Sequence, residues 1–175
     1  MTQWVRLERP SARRAAEFLA AVRRSRKLHG AWVSPPATVA AYREYLRHLR
    51  RAPHAGYFVC RADTGALVGV VNVSEIVRGN FQSAYLGYYA FAPHARQGLM
   101  TQGLALVVSE AFRRLGLHRL EANIQPSNAA SRRLVRRLGF RREGLSRRYL
   151  VIAGRWRDHE RWAILAEDWR GRDGH

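Results

Sequence analysis

The stretch from Tyr85 to Leu115 constrains the fold more than any other part of the chain. It begins with a run of β-favouring residues without helical periodicity: Tyr85, Leu86, Tyr88, Tyr89 and Phe91. Pro93 ends this run. After a short loop, apolar residues recur at steps of three and four, at Met100, Leu104, Val107, Val108, Ala111, Phe112 and Leu115. The pattern predicts a strand, a basic loop and a helix with one buried face.

The loop before this helix, residues 94–98, has the features of an anion site. The first backbone N–H groups of a helix have no partner inside the helix, and the helix dipole adds partial positive charge there. Gly98 lets the backbone approach a phosphate with no side chain in between. No GKS or GKT sequence follows, which excludes a Walker loop, and the GxGxxG dinucleotide pattern is absent. The residues alone therefore predict a phosphate-bearing ligand and no more.

The length and composition fit one domain over residues 1–175. Apolar residues make up 47% of the chain, which is enough for a substantial core. No run of apolar residues is long enough to span a membrane, and the first residues lack the apolar stretch of a signal peptide. The single cysteine, Cys60, leaves no internal disulfide and no Cys/His cluster with zinc spacing. We therefore expect a cytoplasmic protein without a bound metal, in which Cys60 is a buried hydrophobic residue.

The balance of charges is strongly basic. The chain has 31 Lys and Arg residues against 13 Asp and Glu residues, for a net charge of +18, and Lys27 is the only lysine. Because phosphate contacts supply most non-specific affinity for nucleic acids, an RNA partner is one interpretation. The other is an arginine-rich composition spread over solvated faces, since the arginines are distributed along the whole chain. Both interpretations remain open.

Periodicity elsewhere predicts a mixed α/β domain with one central sheet. A short strand at residues 4–8 precedes helices at about 12–25 and 37–51. Strands are predicted at 57–61 and 67–76 before the central strand, and at 118–124 after the central helix. A helix at 129–138 ends at Gly139, and a hairpin of strands 149–153 and 156–165, with its turn at Gly154-Arg155, closes the chain.

A second motif follows some thirty residues after the Gly98 loop: Asn128-Ala129-Ala130-Ser131, and then Leu138-Gly139-Phe140. Together with the loop Arg96-Gln97-Gly98-Leu99-Met100-Thr101, it resembles the Gcn5-related N-acetyltransferases (GNAT). The coenzyme-A loop of that family reads Gln/Arg-x-x-Gly-x-Gly/Ala. Gly98 matches this pattern, whereas Ala95 stands at its first position and Met100 at its last.

Further segments resemble the RimJ-type ribosomal-protein alanine N-acetyltransferases, a branch of the same family. They are Val71-Asn72, Val77-Arg78-Gly79, Tyr85-Leu86-Gly87-Tyr88, Tyr149-Leu150, Gly154-x-Trp156-Arg157-Asp158-His159 and Asp168-Trp169. The resemblance implies a mixed, mostly antiparallel central sheet that is splayed at the cofactor strand and flanked by about four helices. It also implies acetyl transfer from acetyl-CoA to an α-amine, with the N-terminus of a ribosomal protein as the leading acceptor.

The resemblance assigns roles to individual residues. The backbone of Ala90, Phe91 and Ala92 would hold the pantetheine arm, and an N–H group there would polarise the thioester carbonyl. The pyrophosphate would lie on Gln97, Gly98, Leu99, Met100 and Thr101. Asn128 would contact the cofactor, and the Ser131 hydroxyl would lie near the sulfur, where it can protonate the leaving thiolate. A Trp-x-x-Pro segment, here Trp32 and Pro35, would help to wall the acceptor pocket, together with Tyr88.

The attacking amine must be neutral, and this requirement sets the demand on a base. The reference pKa of an α-amine is about 7.7–8, so deprotonation near neutral pH costs only about 1 kcal/mol and a weak base suffices. Among the thirteen acidic residues, Glu75, Glu121 and Asp158 fall in predicted strands. Glu75 shares a face with Val71 and Val73 beside the cofactor strand, and it is our candidate base. The alternative is a surface-facing carboxylate at a strand end. Asp158 and His159 are interpreted as a structural pair.

Two other classes of function remain open. One is acetylation of a small amine such as an antibiotic or an amino acid, because a fold does not fix the acceptor. The other is a ribosome- or RNA-binding module with a residual cofactor site, although the intact pairing of Gly98 with Asn128 and Ser131 argues against it. A polyamine would be repelled by the positive charge of the protein. A homodimer and a contact with the ribosome or rRNA are further open expectations.

Overall fold

A seven-stranded sheet lies at the centre of the computed structural model, which describes residues 3–169. The strands are β1 (Val5–Glu8), β2 (Ala55–Arg61), β3 (Leu67–Val77), β4 (Ser83–Ala90), β5 (Arg119–Ile124), β6 (Arg141–Ile152) and β7 (Arg155–Leu165). The helices are α1 (Ala15–Arg24), α2 (Arg26–His29), α3 (Val39–Leu49), α4 (Leu99–Arg113) and α5 (Ala129–Arg137). Short 3₁₀ turns at Ala12–Arg14 and Ala166–Asp168 flank the two ends of this series. The sheet has the order β1-β2-β3-β4-β5-β7-β6.

Strands β4 and β5 form the one parallel pair of the described sheet, and they stay together only briefly. Their register joins Ser83, Ala84 and Tyr85 to Arg119, Leu120 and Glu121. Beyond Tyr85, β4 continues to Ala90 along β3, while β5 continues to Ile124 along β7. The sheet therefore opens between the C-terminal ends of β4 and β5, as the family resemblance implies.

Alternation along the strands divides the interior into two cores, one on each face of the sheet. Residues such as Tyr57, Val59 and Val71 pack with α4 and α5 on one face. Phe58, Cys60 and Val70 pack with α1 and α3 on the other. Cys60 is fully buried, and burial raises the pKa of its thiol to about 11, so it is a neutral core residue as predicted.

The observed elements match the predicted ones with three differences. The four-residue helix α2 is an addition to the predicted set. Strand β6 begins at Arg141 rather than near residue 149. Its first half was not predicted because it is highly charged and its pairing with β7 is interrupted near Gly144. Such an exposed edge strand carries no apolar alternation, and the partner strand alone supplies its hydrogen bonds. The hairpin turn lies at Ala153-Gly154, one residue before the predicted position.

Within residues 3–169, none of the helices has the length and hydrophobicity required to cross a membrane.

Helix α4 packs so closely against the sheet that the contact requires two glycines, Gly103 in the helix and Gly69 in β3. A Cβ atom at Gly103 would lie 2.5 Å from both methyl carbons of Val59. A Cβ atom at Gly69 in β3 would lie 2.4 Å from the sulfur of Met100 and 2.5 Å from the carbonyl oxygen of Tyr89. These contacts fix the height at which the beginning of α4 crosses the end of β4.

Substituting Gly103 tests this contact. Gly103→Ala should destabilise the protein, because overpacking costs about 1–3 kcal/mol and exceeds the gain of about 1 kcal/mol from helix propensity. In a Val59→Ala background, where the two methyl groups are gone and only the Cβ contact at 3.1 Å remains, the same substitution should cost clearly less. Urea unfolding of the four proteins in this cycle measures the coupling. Equal costs in both backgrounds would contradict the proposed contact.

Candidate active site

The parting of β4 from β5 exposes backbone hydrogen-bonding groups. Phe91 N–H donates to Val68 O at 2.7 Å, so the odd-numbered residues here direct their polar groups toward β3. In an antiparallel pair the intervening residues point the other way. Tyr88 and Ala90 therefore direct their N–H and C=O groups into the opening, where β5 has already turned away.

Two side chains from the α1–α2 segment hold the end of this strand. His29 Nε2 lies 2.8 Å from Ala90 O, and Ser25 Oγ accepts from Ala92 N–H at 3.0 Å. Both residues are buried, and the Ser25 hydroxyl donates in turn to Ala21 O at 2.6 Å. Burial lowers the pKa of His29 below its ordinary value of 6.5, and the hydrogen bond to Ala90 opposes this shift. Among the three backbone N–H groups of the predicted trio Ala90, Phe91 and Ala92, only that of Ala90 has no partner in the described structure.

The predicted phosphate loop precedes α4. Gly98 has φ +77° and an exposed position, and nothing lies within 4 Å of where its Cβ would be. Gln102 N–H is bonded to Gly98 O at 3.2 Å, so the N–H groups that precede it lie at the open beginning of the helix. Leu99 and Met100 have buried side chains, so they can contact a ligand at this point only through their backbone. The Gln97 side chain is turned back onto Pro93 O at 2.9 Å, and Thr101 is nearly buried.

A hydroxyl pair joins β4 to the beginning of α5. Tyr88 Oη and Ser131 Oγ are 2.6 Å apart. Asn128 caps α5 by accepting from Ser131 N–H at 3.1 Å, which fixes the first turn of the helix beneath the pair. Burial raises the pKa of Tyr88 above its ordinary value, with the bond to Ser131 acting in the opposite direction, so its hydroxyl stays protonated at neutral pH. The pair can therefore supply a proton.

These groups border a cavity of about 290 Å³ in the splay of the sheet. Polar members of its lining include Asn72, Asn123 and Gln125, and the loop residues Trp32 and Ser34 form one side. Gln125 Nε2 donates to Ala31 O at 3.2 Å, which ties that loop to the end of β5. Among the described lining residues there is no Asp, Glu, Lys or Arg. The cavity is polar and aromatic but formally neutral.

The candidate base Glu75 lies outside this cavity, and the expectation that it faces inward with Val71 and Val73 is wrong. A β-bulge between Ser74 and Val77 breaks the register with β4, and Glu75 has φ +50°. The bulge rotates the side chain to an exposed position, whereas Val71 and Val73 are fully buried. Strand alternation cannot reveal such a bulge.

Asp158 and His159, which the sequence indicated as a structural pair, lie on opposite faces of β7. Asp158 is exposed and accepts from Arg148 N–H at 2.8 Å, whereas His159 is buried and borders the cavity. Successive residues of a strand point to opposite faces, so they do not form the structural pair that the sequence indicated. The sequence analysis missed the functional positions of His29 and Ser25, because an isolated histidine and serine near a helix end carry no motif.

The comparisons with known proteins agree with this geometry. Residues 5–141 match the profile of the acetyltransferase (GNAT) domain. The chain belongs to the GNAT acetyltransferase family. It is 38% identical over 125 residues to the probable N-acetyltransferase YjcK of Bacillus subtilis, a match that covers 71% of this chain and 69% of that protein. It is 40% identical over 107 residues to the [ribosomal protein uS5]-alanine N-acetyltransferase of Escherichia coli, where the match covers 61% of this chain and 55% of that enzyme.

Solved structures show the same fold for this acetyltransferase. Mycobacterium smegmatis RimJ in complex with CoA-disulfide superimposes with a TM-score of 0.86 at 28% identity, over 93% of this chain and 82% of that one. Vibrio cholerae spermidine N-acetyltransferase, in complex with CoA and spermine, has a TM-score of 0.80 at 20% identity over 95% and 98% of the two chains, and shows the fold alone. The cofactor of this N-acetyltransferase is acetyl-CoA. The open N–H groups before Gln102 and at Ala90 suit its phosphates and its pantetheine amides.

The hydrogen bond from His29 to Ala90 O can be tested by substitution. His29→Leu removes the donor and should cost about 1–3 kcal/mol of stability, because a half-buried carbonyl loses its partner. CoA affinity should fall with it, because the cofactor strand loses its anchor. His29→Gln keeps an N–H donor and should retain most of both properties. Urea unfolding and calorimetric titration with CoA measure the two effects, and equal behaviour of Leu and Gln would contradict the assignment.

The lowered pKa of His29 adds a pH-dependent part to this comparison. As the pH falls, the unfolded state takes up the proton first, so the contribution of neutral His29 is complete above about pH 6.5 and is lost below it. The stability advantage of the wild type over His29→Gln should therefore shrink between about pH 7.5 and about pH 5. A constant difference over that range would exclude a lowered pKa.

Proposed function

We propose that this enzyme acetylates the α-amine of a protein N-terminus, with a ribosomal protein as the leading acceptor. The observation that carries the proposal is the neutral lining of the cavity, in which none of the described residues is a carboxylate. The similarity to an alanine N-acetyltransferase that acts on ribosomal protein uS5 supports the same class of acceptor.

The neutral lining favours an α-amine over other amines for an energetic reason. Deprotonating an α-amine at pH 7 costs about 1 kcal/mol, whereas a lysine-type amine with a pKa near 10.4 costs about 4–5 kcal/mol. A multiply charged polyamine also requires carboxylates to offset the loss of its hydration. The described cavity offers neither a carboxylate partner nor a negative surface, and the net charge of +18 repels polycations.

The residues around the cavity have distinct proposed roles. The backbone N–H groups of residues 97–101 hold the pyrophosphate, and Asn128 orients the first turn of α5 toward the cofactor. The Ala90 N–H polarises the thioester carbonyl. The Tyr88–Ser131 pair protonates the leaving sulfur. Trp32 confines the acceptor on the side of the 30–38 loop. Bound acetyl-CoA supplies the acetyl group and leaves as the free thiol.

The choice of acceptor is tested by acetyl transfer to a panel of compounds. N-terminal peptides that begin with alanine or serine, the same peptides with a blocked α-amine and an internal lysine, free amino acids and spermidine form the panel. Unblocked peptides should be acetylated with the highest kcat/KM, and intact mass should place one acetyl group on the α-amine. Preferred transfer to spermidine, to free amino acids or to lysine would contradict the proposal.

The role of Ser131 predicts a defined kinetic change. Ser131→Ala should lower kcat by about 10²-fold, because the interaction strengthens as charge develops on the sulfur. CoA affinity should change little. Ser127→Ala is the matched control, since Ser127 is exposed just before the same helix. Loss of CoA binding with unchanged kcat would indicate a role in cofactor binding, and a stable acetyl-enzyme would indicate a nucleophile.

A contact with the ribosome or rRNA stays a prediction, as do a homodimer and a cytoplasmic location. Arg133 and Arg137 on α5 are exposed and make no ion pair with the described residues, so they are available to phosphates. If they contact rRNA, binding to purified ribosomes should weaken steeply between about 50 and 200 mM salt. The Arg133→Ala/Arg137→Ala variant should lower the slope by about two units. Salt-independent binding, or none at low salt, would contradict the contact.

A further inference from the structure

His159 occupies a position that the roles assigned above do not use. It lies on β7, beyond residue 141 where the match to the family profile ends. Only 3% of the residue is exposed, yet it borders the cavity together with Tyr88, Asn128 and Ser131. A buried histidine in the wall of the acceptor cavity has both the chemistry and the location to act on the acceptor.

The surroundings of the imidazole indicate which nitrogen carries the proton. His159 Nδ1 lies 2.9 Å from Arg157 O. A carbonyl oxygen only accepts, so Nδ1 is the donor in the neutral ring and Nε2 keeps its lone pair. Nε2 has no hydrogen-bond partner among residues 3–169. A neutral imidazole with an open acceptor nitrogen is the state that a general base requires.

The charged side chains near His159 are bonded to other groups, so they do not occupy its Nε2. On the neighbouring strand β6, the Tyr149 ring centre lies 6.3 Å from that of His159. Asp158 points to the other face of β7 and is bonded to Arg148 N–H. Glu160 is held by Arg132 and Arg142. Among the described residues that line the cavity, His159 is the only one with an imidazole, and none has a carboxylate.

We propose that His159 Nε2 is the general base that removes the proton from the acceptor α-ammonium. The proposal rests on the proposed function. Over the reaction the ammonium nitrogen loses two protons, and His159 takes the first and passes it to solvent. The freed lone pair forms the C–N bond with the acetyl carbonyl carbon as the C–S bond breaks. The sulfur takes a proton from the Tyr88–Ser131 pair, and the second proton from the nitrogen restores that pair. One net proton is therefore released to solvent per acetyl group.

This assignment replaces the carboxylate base that the sequence suggested. No carboxylate lines the described part of the cavity, and Glu75 is exposed on its bulge. The base and the proton-donating hydroxyl pair lie in the walls of one cavity, on β7 and on β4 with α5.

The kinetic test compares two isosteres at position 159. In His159→Asn the side-chain amide can still donate to Arg157 O, but the base is lost, so kcat should fall by about 10²-fold or more. His159→Gln should show a similar loss. Asp158→Asn, on the opposite face of the same strand, is the matched control and should stay within about threefold of wild type. CoA affinity and the melting temperature should be unchanged in His159→Asn, which excludes a failure to fold or to load the cofactor.

The protonation state provides a readout that does not depend on activity. Long-range ¹H–¹⁵N NMR spectra of the imidazole should show His159 protonated at Nδ1 and bare at Nε2 near neutral pH. A ring protonated at Nε2, or an Asn variant within about threefold of wild-type kcat, would overturn the proposal. The proposed function fails separately, if the wild type binds CoA but acetylates no peptide α-amine. In that case the NMR result still determines whether Nε2 is open.

Discussion

The early end of the pairing between β4 and β5 is the constraint on which the rest of the site depends. Three residue pairs hold the two strands together, and beyond Tyr85 the polar groups on one edge of β4 lose their neighbour. Buried backbone groups require partners, so a sheet that opens in its interior is costly unless other groups take the place of the missing strand. His29 and Ser25 satisfy two of them, at Ala90 O and Ala92 N–H. The Ala90 N–H and the polar groups of Tyr88 are left for a ligand, so the same opening that weakens the sheet creates the cofactor edge.

Met100, a residue at which this chain differs from the family loop, packs against a glycine of the sheet, Gly69. Met100 stands where the family pattern has glycine or alanine, and a larger side chain there would push α4 away from the sheet. Gly69 on β3 removes that conflict, since any Cβ at this position would lie 2.4 Å from the Met100 sulfur. The beginning of α4 thus keeps its place beside the end of β4. Met100 and Gly69 form one contact, so the larger residue in the loop is accommodated by local packing. The backbone of Gly98 stays free to bind phosphate.

The sequence allowed most of the fold to be predicted, because apolar periodicity and the two motifs report on local structure. The central strand, α4 and α5 followed from such signals. Ser131, which the family resemblance places near the cofactor sulfur, lines the cavity, and its role stays a prediction. What escaped prediction depends on tertiary contacts. The first half of β6 is charged on both faces and is a strand only because β7 pairs with it. The outward turn of Glu75 results from a bulge that strand alternation does not reveal, and the partnership of His29 with Ala90 joins residues sixty-one positions apart.

Part of the large positive charge has a structural role next to the site. Glu160 on β7 is nearly buried, and its two oxygens pair with Arg132 on α5 at 3.1 Å and Arg142 on β6 at 3.2 Å. Trp162 Nε1 also donates to this carboxylate, and Arg136 lies over the Trp162 ring. A buried carboxylate without partners would be strongly destabilising, so these arginines are required for the fold at this point. They also fix α5 on the sheet and thereby hold Ser131 opposite Tyr88. Arg133 and Arg137 project from the same helix without such partners, so only part of the basic composition is available to bind an anionic partner.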